Sequence, residues 1–433
     1  MPRPGRTVSS CGHNQSRCAR IPITCRSYGM TVSFRIYADY RDRYVPAEPQ
    51  TEETVMRKGS TAFVGMDVHT SSTIKVSRYV GWSEVSERWS VPFERRAIER
   101  LAKRLVRDAE GGEVRCVYEA GPPGFTVKRW MEAAAKGLVC DVAAPSLIAR
   151  APGDKVKNDP RDADKLGRQL RSGDLHLVYP PSEAQEAARS LVRVRDAARE
   201  DRRASGHRIR TFLLTRGHVW SGRNWSRAHR EWLLRLELAF PLDRWLLDEL
   251  LVDLEHHEQR LARLDAEIEQ VAALPAYRDA VNRLRCLRGI DTFTALGLVT
   301  TLHNPERFHS PRQLMSYVGL VVSEDSSGAR VRRGALTKTG DALARRLLIE
   351  AANNQRRRPR LSAPLKARRK GQPAAVVAYA DRAMHRLYRR YQRLAVRRGH
   401  NIAVAAVARE LVGFVWALLQ TNPRQRLLIS PLH

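Results

Sequence analysis

The sequence predicts a mixed α/β domain followed by a long, mainly helical region. Three observations carry this prediction. Runs in which apolar and polar residues alternate, as in strands, occur between residues 61 and 145. From residue 183 onward, apolar residues recur instead at helical spacings of three and four. The chain has 433 residues, which is enough for two or three separate cores.

The predicted α/β domain follows an N-terminal segment, residues 1–58, that has no sustained periodicity and that we expect to be a disordered or mis-assigned extension. Five strands are predicted, at residues 61–69, 72–80, 86–93, 113–120 and 138–145. Helices are predicted at residues 93–108 and 123–137 and from residue 159. The order of three strands, helix, strand, helix, strand, helix is that of an RNase H-like domain.

Residues 183–275 are predicted to be charged helix. Their apolar positions are Leu247, Leu251, Leu254, Leu261, Leu264, Ile268 and Val271, with one gap near His257 and Glu258. This spacing suits a short coiled coil between subunits or an antiparallel helix pair within one subunit. The first half contains Arg193, Arg195, Arg199, Arg202, Arg203, Arg208 and Arg210. So many positive charges predict a nucleic-acid contact.

The C-terminal region is predicted to begin near residue 280. Residues 284–302 and 309–320 indicate two helices with a tight turn at Gly289, a helix-hairpin-helix-like element of the kind that commonly grips a DNA backbone. Ser310, Pro311 and Gln313 have the pattern of a capped helix start. Residues 322–341 are polar and turn-rich, whereas residues 343–353 and 401–419 predict apolar helices. We expect domains at 59–182 and 280–425, joined by a helical segment at 183–279.

Composition predicts a nucleic-acid partner. The chain has 76 Lys and Arg against 46 Asp and Glu, a formal net charge of +30, and 15 of these cations but one Asp lie between Gln355 and His400. Charge alone does not separate an enzyme from a binding protein. No secretion signal or membrane span is predicted, so we expect a cytoplasmic protein.

Six cysteines occur without a CxxC pair. Cys11, His13, Cys18 and Cys25 could ligate zinc, but their spacing fits no standard finger, and reduced thiols are the better interpretation.

Carboxylates at four positions predict a metal site. On a helix from residue 159, Asp159 and Asp162 share one face, whereas Asp164 points away and is expected to be a solvated surface charge. Asp67 lies inside an apolar strand and Glu119 near the end of another, where an acid is costly unless it is paired or metal-bound. Oxygen-only ligands favour Mg²⁺ or Mn²⁺, and two such ions can hold the attacking and leaving oxygens of a phosphodiester.

Several motifs match a known family in its order. They are MDVH at 66–69, YEAGPPGF at 118–125, KNDPRDADKLG at 157–167, GIDTFTALGLV at 289–299, RQLMSYVGLV at 312–321 and SSGARVRRGALTKTGDALARRLLI at 326–349. Over about residues 60–420 the chain resembles the DEDD transposases of the insertion-sequence-110 family, which are recombinases directed by a bridge RNA. The resemblance implies that Asp67, Glu119, Asp159 and Asp162 are the metal ligands of a RuvC-like domain.

The resemblance also implies a nucleophilic serine in a stretch ending Ser-Gly, here DSSG, in which Ser327 is the first choice and Ser326 the alternative. The serine would form a phosphoserine linkage to DNA that conserves bond energy for rejoining. A dimer or tetramer is implied, because the RuvC-like domain of one subunit meets the transposase domain of another. A non-coding guide RNA would then hold the donor and target sequences.

Two departures from the family pattern are visible. Gly289 is followed by Ile290 and Asp291 where members often have Gly-Val-Gly, and Asn158 precedes Asp159 where Thr is more usual. Neither removes a ligand. Two other functions stay open from the residues alone. One is a hydrolytic, metal-dependent junction nuclease in which Ser327 is only a turn residue, and the other is an inactive nucleic-acid-binding relic.

Overall fold

The computed structural model describes residues 61–71, 73–84, 86–148, 159–327 and 330–420. The expectations for residues 1–58, including the zinc alternative at Cys11, His13, Cys18 and Cys25, lie outside the described residues.

The N-terminal part is built on a five-stranded sheet. Its strands are β1 Ala62–Val68, β2 Thr73–Val80, β3 Glu87–Pro92, β4 Val114–Glu119 and β5 Leu138–Ala143. They lie in the order β3-β2-β1-β4-β5, with β2 antiparallel to β1 and β3, and β4 parallel to β1 and β5. All five predicted strands are confirmed, because each has alternate residues facing a buried side of the sheet.

Helices cover both faces of this sheet. Helices α1 Arg95–Arg107 and α2 Thr126–Ala134 pack on one face, where Ile98 and Met131 meet alternate residues of β1 such as Met66. Helix α3 Asp159–Ser172 packs on the other face, where Leu166 meets Val117. The three predicted helices are therefore confirmed, and each buries its apolar stripe against the sheet.

Glycines fix where α3 crosses β1. A Cβ on Gly65 would lie 2.0 Å from the carbonyl oxygen of Ala163, so strand and helix touch backbone to backbone. Further along α3, Arg171 stacks over Tyr79 and Trp82, beside the first residues of β1. Helix α3 therefore runs antiparallel to β1, and its first turn lies at the C-terminal edge of β1 and β4.

Residues 183–273 form a helical arm. It consists of α4 Glu183–Leu214, α5 Arg227–Arg235 and α6 Pro241–Ala273. Ion pairs join α4 to α6 in reverse order along the two helices, at Arg195 with Asp265, Arg202 with Glu258 and Arg208 with Asp253. Of the two alternatives, the structure therefore contains the antiparallel pair within one subunit. Helix α6 is continuous across the gap in its apolar positions. At this gap, Glu258 forms ion pairs with Arg202 and Arg230.

Most arginines of α4 are neutralised inside the subunit. Ion pairs are formed by Arg193, Arg195, Arg199, Arg202, Arg203 and Arg208. The number of arginines on this helix is therefore weaker ground for a nucleic-acid contact, because these six are paired within the chain. Their partners lie on α6, at Asp341 or on α4 itself, and sequence periodicity does not show them.

The C-terminal part is a helical core with one β-hairpin. Its helices are α7 Pro275–Arg285, α8 Thr292–Leu302, α9 Pro311–Tyr317, α10 Ala342–Asn353, α11 Ala363–Arg369, α12 Ala374–Arg398 and α13 His400–Leu419. Strands β6 Val322–Glu324 and β7 Arg333–Leu336 form the hairpin. The predicted turn at Gly289 separates α7 from α8, with φ of +85°.

The predicted cap of α9 is confirmed with one difference. The backbone N–H of Gln313 donates to Ser310 Oγ at 3.3 Å, and Pro311 occupies the first turn. The Gln313 side chain, however, accepts from the backbone N–H of His309 at 2.7 Å and not from that of Ser310.

Helix α13 lies in the centre of the C-terminal core. It is long and apolar enough to cross a membrane by length and composition, which the sequence prediction of no membrane span did not anticipate. In the folded chain, 67% of its most apolar window is buried. Its residues Leu411, Phe414 and Leu418 belong to the main cluster of buried side chains, which is the arrangement of a core helix.

Candidate functional site

Two of the predicted acids meet at one edge of the sheet. Asp67 is the last but one residue of β1, and Glu119 is the last residue of β4. Met66 pairs with Tyr118 between these parallel strands, so the next position along the register holds Asp67 and Glu119 side by side. The Asp67 side chain is 19% exposed and Glu119 is exposed. Both acids are therefore within reach of a ligand at this edge.

Helix α3 brings further acids to the same edge. Its first residue is Asp159, whose side chain is outside the described residues, and Asp162 lies half-buried in its first turn. Among the side chains that the structure describes, no three His, Cys, Asp or Glu residues are close enough to form a metal centre. The Asp159 carboxylate is not among these described side chains. The donors that share the edge are all oxygens, which fits Mg²⁺ or Mn²⁺ by chemistry.

His69 is a polar neighbour that the sequence argument missed. Its Nε2 lies 3.1 Å from Asp67 Oδ2, and its side chain is 41% exposed. Alternate residues of an extended segment point to one side, so the spacing of two in MDVH is the signal that could have found it. An imidazole beside a carboxylate can donate a hydrogen bond that orients it, so the pair is chemically useful at this edge.

Asp164 does not have the role predicted from its position on the helix. It is 2% exposed, accepts hydrogen bonds from Ser77 Oγ and from Ser86 Oγ, the latter at 3.0 Å, and forms an ion pair with Arg88. The prediction of a solvated surface charge is therefore wrong. A carboxylate is buried only when other groups satisfy it, and these three groups tie α3 to β2 and β3.

The second site predicted from sequence is a turn of the C-terminal hairpin. The backbone N–H of Ser327 donates to the Arg330 carbonyl at 3.2 Å, and the N–H of Arg330 donates back to the Ser327 carbonyl at 3.1 Å. These bonds close a tight turn between β6 and β7. Ser326, Ser327, Arg330, Arg332 and Arg333 are all exposed, so the turn presents hydroxyls among positive charges.

The two serines differ in their contacts. Ser326 Oγ donates to Glu324 Oε1 at 3.0 Å and accepts from the backbone N–H of Arg332 at 3.2 Å. Ser327 Oγ makes no hydrogen bond with any residue in the described part of the chain. Ser326 is thus occupied in holding the hairpin, whereas the Ser327 hydroxyl is available to an incoming group.

Cysteine nucleophiles have no support among the described residues. Cys116, Cys140 and Cys286 are free and buried. Burial raises the pKa of all three thiols. Since the thiolate is the reactive form, these side chains behave as small apolar residues.

The acid edge and the serine turn belong to different cores. The sheet has its own clusters of buried side chains on its two faces. The hairpin instead joins the helical core through Val321 and Leu336. The described chain thus combines a carboxylate edge on a mixed sheet with an exposed hydroxyl in a basic turn, groups that are chemically suited to a protein acting on nucleic acid.

Comparison with known proteins agrees with this class. Residues 64–216 match the family model of DEDD transposases, and residues 281–366 match that of the transposase IS116/IS110/IS902 family. A protein of Sinorhizobium fredii named as a transposase, y4qE, is 36% identical over 82% of this chain and 88% of its own length. The transposase for insertion sequence element IS1533 of Leptospira borgpetersenii is 30% identical over 78% of this chain and 97% of its own length.

The chain is therefore a DNA transposase, and it belongs to the IS110 family of insertion-sequence transposases. The predicted resemblance and the predicted enzyme class are confirmed. DNA is its substrate.

Proposed function

We propose that this transposase cuts and rejoins DNA through a covalent phosphoserine at Ser327, assisted by divalent metal ions bound to Asp67, Glu119, Asp159 and Asp162. The observation that carries the proposal is the placement of Asp67, Glu119 and the first turn of α3 at one edge of the sheet. We assign residues 59–182 to a RuvC-like domain, 183–279 to a helical segment and 280–425 to the transposase domain.

The metal ligands follow from the chemistry of the edge. Four carboxylates are suited to hold Mg²⁺ or Mn²⁺, which would neutralise the charge that develops on the phosphate. Asp67 and Glu119 stand on rigid neighbouring strands, and Asp162 stands on a helix that glycines press onto β1. His69 Nε2, 3.1 Å from Asp67 Oδ2, can donate a hydrogen bond that orients this carboxylate.

The proposed cleavage step exchanges one phosphorus–oxygen bond for another at Ser327. Its Oγ forms a bond to phosphorus while one bridging P–O bond of the DNA breaks, and the hydroxyl proton leaves to a base. The departing DNA oxygen takes up a proton and becomes a hydroxyl. Rejoining reverses these steps when a hydroxyl of another DNA end attacks the phosphoserine and releases Ser327.

A guide RNA and a homo-oligomer complete the proposal. Both are implied by family membership, and one surface of the arm supports the oligomer. Leu242, Trp245 and Val252 lie on one side of α6 and are 64%, 58% and 63% exposed. Spacings of three and seven place them in a single stripe, which a second copy of the chain can cover.

The test uses labelled DNA that carries the element's junction, with RNA transcribed from the flanking region and Mg²⁺. Denaturing electrophoresis and peptide mapping report any protein–DNA adduct. We expect an adduct at Ser327 in the natural chain and in Ser326→Ala, and none in Ser327→Ala. Cleavage that needs metal, gives no adduct and is undiminished in Ser327→Ala would show a hydrolytic nuclease instead.

A further inference from the structure

A long basic groove runs beside the serine hairpin. It consists of two adjoining cavities of about 820 and 810 Å³. The first lies between α12 and α13, and the second is bounded by α12, α13, α9 and strand β7. Both are lined by Arg386, Arg390, Arg393 and Glu410. The two cavities therefore form one continuous surface, which we call the arginine groove.

One face of α12 supplies most of its charge. Arg382, Arg386, Arg389, Arg390 and Arg393 line it. Their offsets of four, seven, eight and eleven residues put them on one side of a helix. Arg312 of α9 and Arg409 of α13 add to the same surface. Like charges this close repel one another, so the stripe is suited to a polyanion.

Glu410 organises the middle of the groove. Its side chain is 10% exposed and pairs with two arginines one helical turn apart, Arg386 at Nε and Arg390 at Nε, the latter at 3.1 Å. This half-buried carboxylate thus fixes the direction of two cations on the groove side of α12.

The groove shares a wall with the hairpin of Ser327. Gly334, Ala335 and Leu336 of β7 line its second cavity. The arginines from Arg382 to Arg393 span about 16 Å of helix at 1.5 Å per residue. That length corresponds to about five phosphates of one strand at 3.4 Å each along the duplex axis.

We infer that the arginine groove binds the phosphate backbone of the DNA beside the cleavage point and leads it along the hairpin to Ser327. This inference rests on the proposed function, because the hairpin directs it to DNA only if Ser327 is the nucleophile. Glu410 acts as a positioning residue, since it touches the arginines and not the reacting atoms.

The first test compares two arginines of α12. Arg393 lines both cavities and makes no ion pair with a described residue, whereas Arg398 is exposed but lines neither. The full chain is titrated into a labelled 30-base-pair junction duplex by fluorescence anisotropy, without divalent metal, at several salt concentrations. We expect Arg393→Ala to weaken binding several-fold and to reduce the salt slope by about 1, and Arg398→Ala to change both much less. Equal effects of the two variants would overturn the inference that the arginine groove binds DNA.

Two competitors test what the groove recognises. An RNA duplex of the same sequence and a poly-glutamate of equal charge are added as probes. We expect Arg393→Ala to weaken binding to the DNA duplex. We also expect poly-glutamate to compete poorly with that duplex for the natural chain. A defect confined to RNA, or competition by poly-glutamate as strong as by DNA, would overturn the assignment to DNA.

Glu410→Gln tests the positioning role of Glu410, because the two explanations predict opposite changes in DNA affinity. The variant loses one negative charge, so its net charge rises by one and a patch that acts by charge alone would bind DNA more tightly. We expect weaker binding, because Arg386 and Arg390 lose their common anchor; tighter binding would refute the role of Glu410. These assays need no cleavage. If Arg393→Ala weakens DNA binding but no Ser327 adduct forms, the groove is supported and Ser327 is rejected as the nucleophile. If the adduct forms but Arg393→Ala binds DNA normally, Ser327 is supported and the groove is rejected.

Discussion

Asp164 and Asp162 are two residues apart on α3 and have different surroundings. Asp162 is half-buried in the turn that faces the acid edge, while Asp164 is enclosed by Ser77, Ser86 and Arg88. The same side-chain chemistry therefore serves a candidate metal site at one position and anchors the helix at the other. The two positions differ because Asp164 lies on the side of α3 that contacts β2 and β3.

The anchoring role of Asp164 gives the first residue-scale prediction. Asp164→Ala removes the acceptor of two hydroxyls and the partner of Arg88, and we expect it to lower the free energy of unfolding by about 2–3 kcal/mol, as for buried hydrogen bonds to a charged group. Urea unfolding checks this. Asp174→Ala is the control, because the Asp174 side chain is exposed and accepts a hydrogen bond from the neighbouring Ser172 hydroxyl at 2.6 Å. Equal small changes in both variants would contradict the role.

At the scale of elements, the crossing of α3 over β1 decides where the acid edge is built. No side chain lies between Gly65 and the backbone of Ala163 and Gly167. This close approach holds the first turn of α3 beside Asp67. The site is thus a consequence of helix packing as much as of the carboxylates themselves.

Gly65→Ala is the prediction that belongs to this element. Its Cβ would lie 2.0 Å and 2.4 Å from backbone atoms of α3, so the helix must move away from β1. We expect a lower melting temperature and loss of DNA cleavage. Gly121→Ala is the matched control near the same edge, because its Cβ would meet only atoms at 3.8 Å. Cleavage by Gly65→Ala at the natural rate would show that α3 need not be held at this distance.

At the scale of the whole molecule, the described chain is tied together around His303. The His303 ring centroid lies 6.4 Å from that of Tyr179, which follows α3 near the end of the sheet domain. Arg307 stacks on Tyr179 from the C-terminal core. Burial, reinforced by the positive charges of Arg189 and Arg307, lowers the pKa of His303 to about 3. The imidazole is therefore neutral in the folded chain.

This shift predicts a pH dependence of stability. Below a pH of about 6.5 the unfolded chain binds a proton at His303, whereas the folded chain does not until about pH 3. The contribution to stability is thus complete above pH 6.5 and is lost progressively as pH falls. By pH 5 the natural chain should lose about 1–2 kcal/mol more than His303→Asn does. Urea unfolding of both chains from pH 8 to 5 measures the difference, and parallel curves would contradict it.

Periodicity determined much of the fold. The five strands, the helices of the sheet domain, the apolar helices α10 and α13 and the order of the four acids were all predictable, because burying one face of an element sets a local pattern. The hairpin was missed because all three residues of β6 are exposed and show no alternation. Helix α12 was hidden by its arginines, although buried Val376, Tyr379, Ala383 and Leu387 have helical spacing.

The sequence by itself determined most of the elements that form, the order of the carboxylates along the chain, and the expectation of a polyanionic partner. The tertiary structure alone decided which charged side chains are paired with other groups inside the protein. Asp164 meets Ser77 across 87 positions, and Arg193 meets Asp341 across 148. Contacts at such separations leave no local pattern. Only folding therefore shows that the arginines of α4 are neutralised while those of the arginine groove remain concentrated on one surface.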